Sequence, residues 1–408
     1  MATRPEMTVV GDVYSFRWAD EGISADVDRL TESRDGMHAE IVIHSDVHGL
    51  LHAARLNLLS TQSRGTMARA LNERVNHVDW SAALEALCFL TLERYREGDP
   101  AIDLADWTPD RQEHWAVYPY LSFAGPTVLF AEGMLGKSML ALAIAYGVAT
   151  GDSIIGDLRT AAGNVLYLDW ESDDADLNRR AALLKAGLKL TAGLVLAYRY
   201  CSQPLVQIAP ELRRLVVARN VSLVVIDSLG GACGGELEAP ATALTFFNAL
   251  RSLRASSLIN AHTPKHEAGE RQRSVFGSAF FTNLARSVWE VRSSRLPGEK
   301  GYSVGLFERK RNLSKPHEPI GLYLTYGEES TIIERQDVRD DPELAASLTQ
   351  PERVVAALRR GKLTTAQLAE VTDASDGAMR KVMQRLHDKH LVQRFSDGWG
   401  LATHEDPT

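Results

Sequence analysis

The chain predicts an α/β fold, with a parallel-sheet core between an N-terminal α+β block and a small C-terminal helical block. Three observations carry this. Between about residues 116 and 340, short apolar runs alternate with helical stretches, the order expected of parallel strands joined by crossover helices. Ahead of that region, stretches of period two give way to helices. Behind it, three short amphipathic helices end in two short strands around a turn. The 408 residues are too many for one ordinary core. We divide them into domains at 1–115, 116–340 and 345–408.

In the first block, TVVGDVYSFRW and MHAEIVIHS read as strands. From about Arg64 the pattern turns helical, through GTMARALNERV and DWSAALEALCFLTLERYREG. Asp79 suits an N-cap there and Gly98 a C-cap. The polar stretch DLADWTPDRQEHW reads as a connector. In the second block PTVLF, NVLYLDW, LVLAYRY, SLVVID and SLINA are strands. The helices between them are SMLALAIAYGVATG, DLNRRAALLKAGL, ELRRLVVARN and ATALTFFNALRSLRAS. Continuously apolar strands such as LVVI fit a sheet covered on both faces. The block ends in ARSVWEV, YSVGLFE and GLYLTY, with short connections that suggest an antiparallel extension. In the third block, ERVVAALRR, TTAQLAEVT and GAMRKVMQRLHDKH precede LVQRFSDGWGLA, two strands about a turn at Asp397–Gly398. That order is a winged helix-turn-helix.

The composition, 45% hydrophobic and 24% charged, is that of a globular protein. No apolar run reaches the roughly 20 residues of a membrane helix. The opening MATRPEMTVV lacks the apolar core of a signal peptide. A cytoplasmic protein with no membrane partner is therefore expected. Cys88, Cys201 and Cys233 are too far apart for a zinc knuckle or a disulfide framework and read as reduced thiols. The net charge of -8 argues against a surface coated in positive charge for unselective nucleic-acid binding. It leaves room for a local basic module.

The segment Ala131–Ser138, between a strand and an apolar helix, has the context of a phosphate-binding loop. Gly133 and Gly136 let backbone N–H groups turn inward on a phosphate, flanked by Met134, Leu135 and Met139. Lys137 would reach the β- and γ-phosphates, and the Ser138 hydroxyl a Mg2+ ion. Asp227 ends an apolar strand, where a carboxylate can hold that Mg2+ through water, with Ser228 assisting. Asp169 and Glu171 end another strand. Hydrolysis needs a group that orients water, and Glu171 is the candidate, supported by Asp169. An alternative is that Ser172 and Asp173 cap the next helix, with Glu171 only an acidic neighbour. His262, just past a further strand, could sense the γ-phosphate. Arg309 and Arg311, in a basic run with Lys310 and Lys315, are two apart on an extended segment and should project to one side. That pairing suits an arginine finger, with a solvated loop or a DNA-backbone contact as alternatives.

In order, AEGMLGKS, VLYLDWE, LVVIDSLGG, INAHTPK, SVFGSAFFTNLARSVWEV and ERKRN resemble the RecA-like ATPases of the plasmid RepA helicase type. These are related to DnaB-type replicative helicases and common in phages and mobile elements. The resemblance covers about residues 116–325. It implies a RecA-like core that binds ATP and Mg2+. Lys137 and Ser138 would take the Walker A roles, Asp227 Walker B, Glu171 the catalytic glutamate and His262 the sensor. Arg309 and Arg311 fall where the family carries its trans-acting finger. Such proteins form homo-hexameric rings that translocate single-stranded DNA. The sequence departs from the pattern at Ala131, where the first loop glycine is expected, and at Ala261–Pro264, where paired histidines are common.

In the C-terminal block, Arg380, Lys381, Gln384 and Arg385 occupy polar positions of the last helix, opposite Met379, Val382, Met383 and Leu386. Arg394 and Trp399 lie on or near the wing. Arg380, Lys381 and Arg385 are candidate duplex-DNA contacts, with protein docking as the alternative use of such a module. The expected function is an ATP-hydrolysing ring helicase or translocase of a mobile element. The alternative is a nucleotide-switched regulatory or loading ATPase that never unwinds.

Overall fold

The computed structural model describes residues 4–98, 101, 103, 114–123, 125–133, 135–155, 158–190, 196–263, 275–295, 299–312 and 317–402. It forms two compact units. One comprises residues 1–112, 207–220 and 252–254, and the other 113–206, 221–251 and 255–408.

The first unit contains an antiparallel meander of β1 (Glu6–Val10), β2 (Val13–Trp18), β3 (Ile23–Ser33), β4 (Gly36–Ser45) and β5 (Gly49–Asn57), in chain order. The expected single strand over TVVGDVYSFRW breaks in two at Gly11, whose φ of +63° makes a turn that L side chains disfavour. The sequence reading also passed over β3 and β5. In β3 the alternation fades after Val27, where the register slips between Asp28 and Thr31. Two helices follow, α1 (Thr61–Asn72) and α2 (Trp80–Glu97). Asp79 caps α2 by accepting the Ala82 N–H at 3.1 Å, and Gly98 closes it at φ +64°. The helices and the sheet share a core that includes Phe16, Trp18, Ile41, Leu71, Trp80 and Leu87.

The second unit opens with a ribbon of β6 (Trp115–Val117) and β7 (Leu121–Ser122). In chain order then come β8 (Pro126–Ala131), α3 (Lys137–Thr150), β9 (Asn164–Asp169), α4 (Asp174–Gly187), β10 (Ala197–Tyr200), α5 (Leu205–Ala218), which from Gln207 on is grouped with the first unit, β11 (Val221–Asp227) and α6 (Leu229–Cys233). They are followed by α7 (Pro240–Ser252), β12 (Ser256–His262), α8 (Ala279–Leu284), β13 (Ser287–Ser294), β14 (Gly301–Arg311), β15 (Ile320–Tyr326) and β16 (Thr331–Gln336). Nine of these strands make one sheet in the order β10-β9-β11-β12-β8-β13-β14-β15-β16. From β10 to β13 every pairing is parallel. The α/β class and the mostly parallel sheet expected from the sequence are therefore present. The antiparallel extension begins one strand later than expected. β13 lies parallel to β8, with Ser287 opposite Thr127, and only β14 to β16 run antiparallel.

Burial explains the composition of these elements. Val224, Val225 and Ile226 of β11 are fully buried, as strands covered on both faces must be. Helix α3 is buried from Met139 to Val148, so it is apolar all round rather than amphipathic. It stops at Gly151, whose φ of +77° turns its N–H onto the Gly147 carbonyl at 2.7 Å. No helix among the described residues is long and apolar enough to cross a membrane.

The chain ends in α9 (Pro342–Ala346), α10 (Gln350–Arg359), α11 (Thr365–Val371), α12 (Asp376–Asp388), β17 (Val392–Phe395) and β18 (Gly398–Leu401). Helices α10 to α12 and the β17–β18 hairpin enclose their own small core around Val354, Leu368, Met379, Met383 and Val392. On α12, Met379, Met383 and Leu386 are buried, whereas Arg380, Lys381, Gln384 and Arg385 are exposed.

Candidate active site

The candidate residues meet at the C-terminal ends of β8, β9, β11 and β12, the edge where parallel α/β sheets bind ligands. Strand β8 ends at Ala131 and the chain turns into α3 through Gly136, whose φ is +76°. Two facts make glycine necessary there. The backbone is left-handed, and a Cβ would come within 2.5 Å of Tyr302 Oη and 3.2 Å of Tyr326 Oη. Gly136 is also the N-cap of α3 and has no side chain with which to cap it. The first-turn N–H groups thus face the loop, as they do in helix-terminal anion sites. Gly133 is exposed, and Leu135 and Ser138 are partly buried. Met134 lies outside the described residues.

Lys137 is the first residue of α3 and only 7% exposed. Its ammonium donates to the carbonyls of Glu132 at 2.8 Å and Ala131 at 3.3 Å, and lies 3.5 Å from His262 Nδ1. Burial lowers its pKa, while the charges of Glu171 and Asp227 act in the opposite sense. With Lys137 donating to Nδ1, the other ring nitrogen of His262 carries the proton and faces Glu171 Oε1 at 3.3 Å. The same carboxylate oxygen accepts from the buried Ser228 hydroxyl. The hydrogen bond from His262, then that from Ser228, and the nearby Lys137 charge outweigh burial and pull the Glu171 carboxyl down to about 2. Lys137, His262, Glu171 and Ser228 therefore form one connected cluster from four separate segments.

The other two carboxylates are held differently. Asp169 is fully buried, and its Oδ1 accepts the N–H groups of Glu171 at 2.9 Å and Ser172 at 3.0 Å. Burial raises its pKa. Asp169 thus fixes the turn that presents Glu171. Asp173 caps α4, as the alternative reading expected of it, through the Asp176 N–H at 2.7 Å. Asp227 accepts from Tyr167 Oη at 2.6 Å on one oxygen and from Asn260 Nδ2 at 2.9 Å on the other. The sequence reading missed Tyr167 and Asn260. Both were visible as polar atoms in otherwise apolar strands, where a buried polar group needs a partner.

Among the described residues no group of three or more His, Cys, Asp or Glu side chains could hold a metal by itself. The donor set instead suits Mg2+, which keeps several waters and shares its ligands with phosphates. Ser138 would offer its hydroxyl and Asp227, held on both oxygens, would act through water.

Arg309 and Arg311 are not brought to the loop. They close β14 at the opposite end of the sheet, where Arg311 pairs with Ser287 and Ser287 with Thr127. A bulge between Val288 and Trp289 leaves Arg309 outside the regular pairing, which breaks the alternation expected to send both side chains the same way. Arg309 Nε donates to Glu290 Oε2 at 2.7 Å and its guanidinium lies over Phe307. Glu290 is fully buried and takes Arg292 Nε on its other oxygen at 2.6 Å. Arg311 instead donates to Glu308 at 3.0 Å and stacks on Trp115, 4.2 Å from the ring centre. Lys310 donates to the carbonyls of Thr282, Asn283 and Ala285. Lys315 lies outside the described residues.

Part of the chain resembles known proteins. Residues 92–268 match a family model described as an AAA domain. A KaiC-like protein, PH0186 from the hyperthermophilic archaeon Pyrococcus horikoshii OT3, is similar at 15% identity over 53% of this chain and 93% of that chain, with a TM-score of 0.38. The flagellar accessory protein FlaH from Methanocaldococcus jannaschii is similar at 14% identity over 48% of this chain and 84% of that chain, with a TM-score of 0.34. No curated protein matches the sequence.

Two expectations follow from the site. Because the Glu171 carboxyl titrates below its ordinary value of 4.5, its contacts stabilise the protein fully above that pH. They are lost as the pH falls towards about 2. Urea unfolding of wild type and Glu171→Gln should therefore differ above pH 4.5 and converge below it. A gap that does not change with pH would contradict the assigned contacts. Arg309→Ala removes one of two partners from a buried carboxylate and should lower stability by about 3 kcal/mol, read as a drop in the urea midpoint. An unchanged midpoint would mean that the pair carries no structural load.

Proposed function

We propose that this chain is a Mg-ATP hydrolase, with its reaction centre at the cluster of Lys137, His262, Glu171 and Ser228. The convergence of these groups on the loop that opens α3 carries the reading. Lys137, already turned into the loop, would move its ammonium from the Ala131 and Glu132 carbonyls onto phosphate oxygens, a stronger charge-assisted contact. The loop N–H groups and the start of α3 would hold the remaining phosphate charge. Glu171, ionised at neutral pH, would accept a hydrogen bond from the attacking water and aim it at the terminal phosphorus. His262, which touches both Lys137 and Glu171, would report whether that phosphate is present. A bound Mg2+ ion would neutralise charge on the phosphates.

We further infer a DNA motor: a homo-hexameric, cytoplasmic helicase or translocase of a mobile element, with single-stranded DNA in its channel. It would use three modules, 1–115, 116–340 and a winged helix-turn-helix at 345–408. The motif order and the exposed basic face of α12 support this reading. A nucleotide-switched regulatory ATPase is the second reading. It is favoured by one observation: both candidate finger arginines are paired within their own chain. The motor reading would need one of those pairs to exchange for a neighbour's phosphate on assembly.

Lys137→Ala should abolish turnover, and Glu171→Gln should retain Mg-ATP binding while losing hydrolysis, by steady-state assay and nucleotide titration. If Glu171→Gln turns over within a few-fold of wild type, the water is oriented elsewhere.

Replacing Arg380, Lys381 and Arg385 together by Ala should weaken duplex binding and flatten the slope of log K against log salt by about 2–3. An unchanged slope would assign α12 to protein docking.

A further inference from the structure

The edge of the large sheet opposite the loop carries a patch that the hydrolysis site does not use. The ribbon of β6 and β7 is fastened there from two directions. The Tyr118 N–H donates to the Arg159 carbonyl at 2.8 Å, and Arg311 Nη1 donates to the Pro119 carbonyl at 3.3 Å. Three rings meet beside the turn of the ribbon. Trp115, Tyr118 and His317 have centroids 5.2–5.7 Å apart and planes 77–84° from parallel, so each meets the others edge to face. Tyr118 is braced by the other two, yet it is 37% exposed. Burial, then the Arg311 charge, lower the pKa of His317 to about 4, so it takes part as a neutral ring.

Cations accompany these rings. Arg159, itself exposed, lies over the Tyr118 ring at 4.8 Å, and Arg311 lies over Trp115. Arg286 and Lys310 stand next to Arg311. Ser287, which follows Arg286, pairs with Arg311 in the sheet, and the Arg286 charge adds to burial in lowering the Lys310 pKa. Glu308 offsets Arg311, and Lys310 spends its donors on carbonyls. Among the described residues Arg159, Arg286 and Lys310 have no carboxylate partner, a local positive excess on a chain of net charge -8. A braced ring that reaches solvent beside unpaired cations offers a π face for a base and charge for the phosphates around it. A duplex could use only the charge, because its bases are already stacked on one another.

We propose that this edge binds a single-stranded polynucleotide, with one base stacked on Tyr118 and the flanking phosphates on Arg159 and Arg286. Arg159 now covers one face of the ring. A guanidinium on an exposed ring is held weakly, so a base can take its place and leave it beside the backbone. Lys310 contributes its field and no direct contact. Stacking does not read the sugar, so DNA and RNA strands are both accepted. The patch lies at the other end of the sheet from the loop and stands whether or not the loop hydrolyses ATP.

The test is fluorescence-anisotropy titration of labelled oligo-dT, oligo-U and a DNA duplex with the full chain, with and without Mg-ATP. The variants are Tyr118→Leu, Tyr118→Phe and the double replacement of Arg159 and Arg286 by Gln, and melting curves confirm that they fold. Tyr118→Leu is expected to weaken at least one of the two single strands by about tenfold, and to leave the duplex unchanged. Tyr118→Phe, which keeps the ring, is expected to restore most of the lost affinity. The double variant is expected to flatten the single-strand slope of log K against log salt by about 1.4. Equal affinity of Tyr118→Leu and wild type for both single strands would overturn the stacking contact. Equal losses on single strand and duplex would overturn it too, by making the ring a support for the ribbon. Wild type that binds neither single strand, with or without Mg-ATP, would overturn the site as a whole.

Discussion

The second unit is organised around one buried charge. The Lys137 ammonium sits at the start of a helix that is otherwise apolar, and such a charge is costly unless its donors are met. The carbonyls of Ala131 and Glu132 meet two of them, which requires the chain after β8 to curl back over itself. That curl in turn requires the left-handed backbone at Gly136. His262 lies in the third direction, and Glu171 stands behind it. The loop is therefore organised before a ligand arrives. The contacts that organise it are those a phosphate would replace, since neutral carbonyls give way readily to charged oxygens.

What could be read from the sequence depended on how far apart the partners lie along the chain. The β8 turn into α3 and the caps of α2 are local, so a few adjacent residues announce them. The apolar strands announce themselves because burial on both faces leaves no polar position. The expected roles of Glu171 and His262 brought them to one place because both follow apolar strands. The misses have the opposite character. β3 carries Asp26, Asp28 and Glu32, and β16 carries Glu334 and Arg335, so neither reads as a buried strand. Tyr167 and Asn260 meet Asp227 from 60 and 33 residues away. Tyr302 and Tyr326 reach Gly136 from strands that no local pattern links to the loop.

The arginine pair shows how a single irregularity redirects a sound local argument. Two residues apart on a regular strand, Arg309 and Arg311 would share a face. The bulge opposite Val288 and Trp289 removes that parity. Arg309 then joins Phe307 and Glu290, and Arg311 joins Glu308 and Trp115. Glu290, fully buried and bracketed by Arg309 and Arg292, is tolerable only while it is paired. The ionic ties thus join β13 to β14, and the tyrosine pair joins β14 to β15.

Three carboxylates at neighbouring strand ends could in principle compete for one role. Their surroundings separate them. Asp169 has its charge disfavoured by burial, and one oxygen is committed to two backbone N–H groups, so it shapes the turn beyond β9. Asp227 has a strong donor on each oxygen and cannot swing, which suits a fixed acceptor for metal-bound water. Glu171 alone is half-exposed and ionised far below neutrality, and its present partners, Ser228 and His262, meet a single oxygen. Among the described residues the other oxygen has no hydrogen-bond partner, which leaves it for a water molecule. Different environments acting on the same functional group are the usual means by which a protein divides acid, base and structural duties. Under the proposed hydrolysis, that division leaves Glu171 as the carboxylate with both the charge and the access that water activation would require.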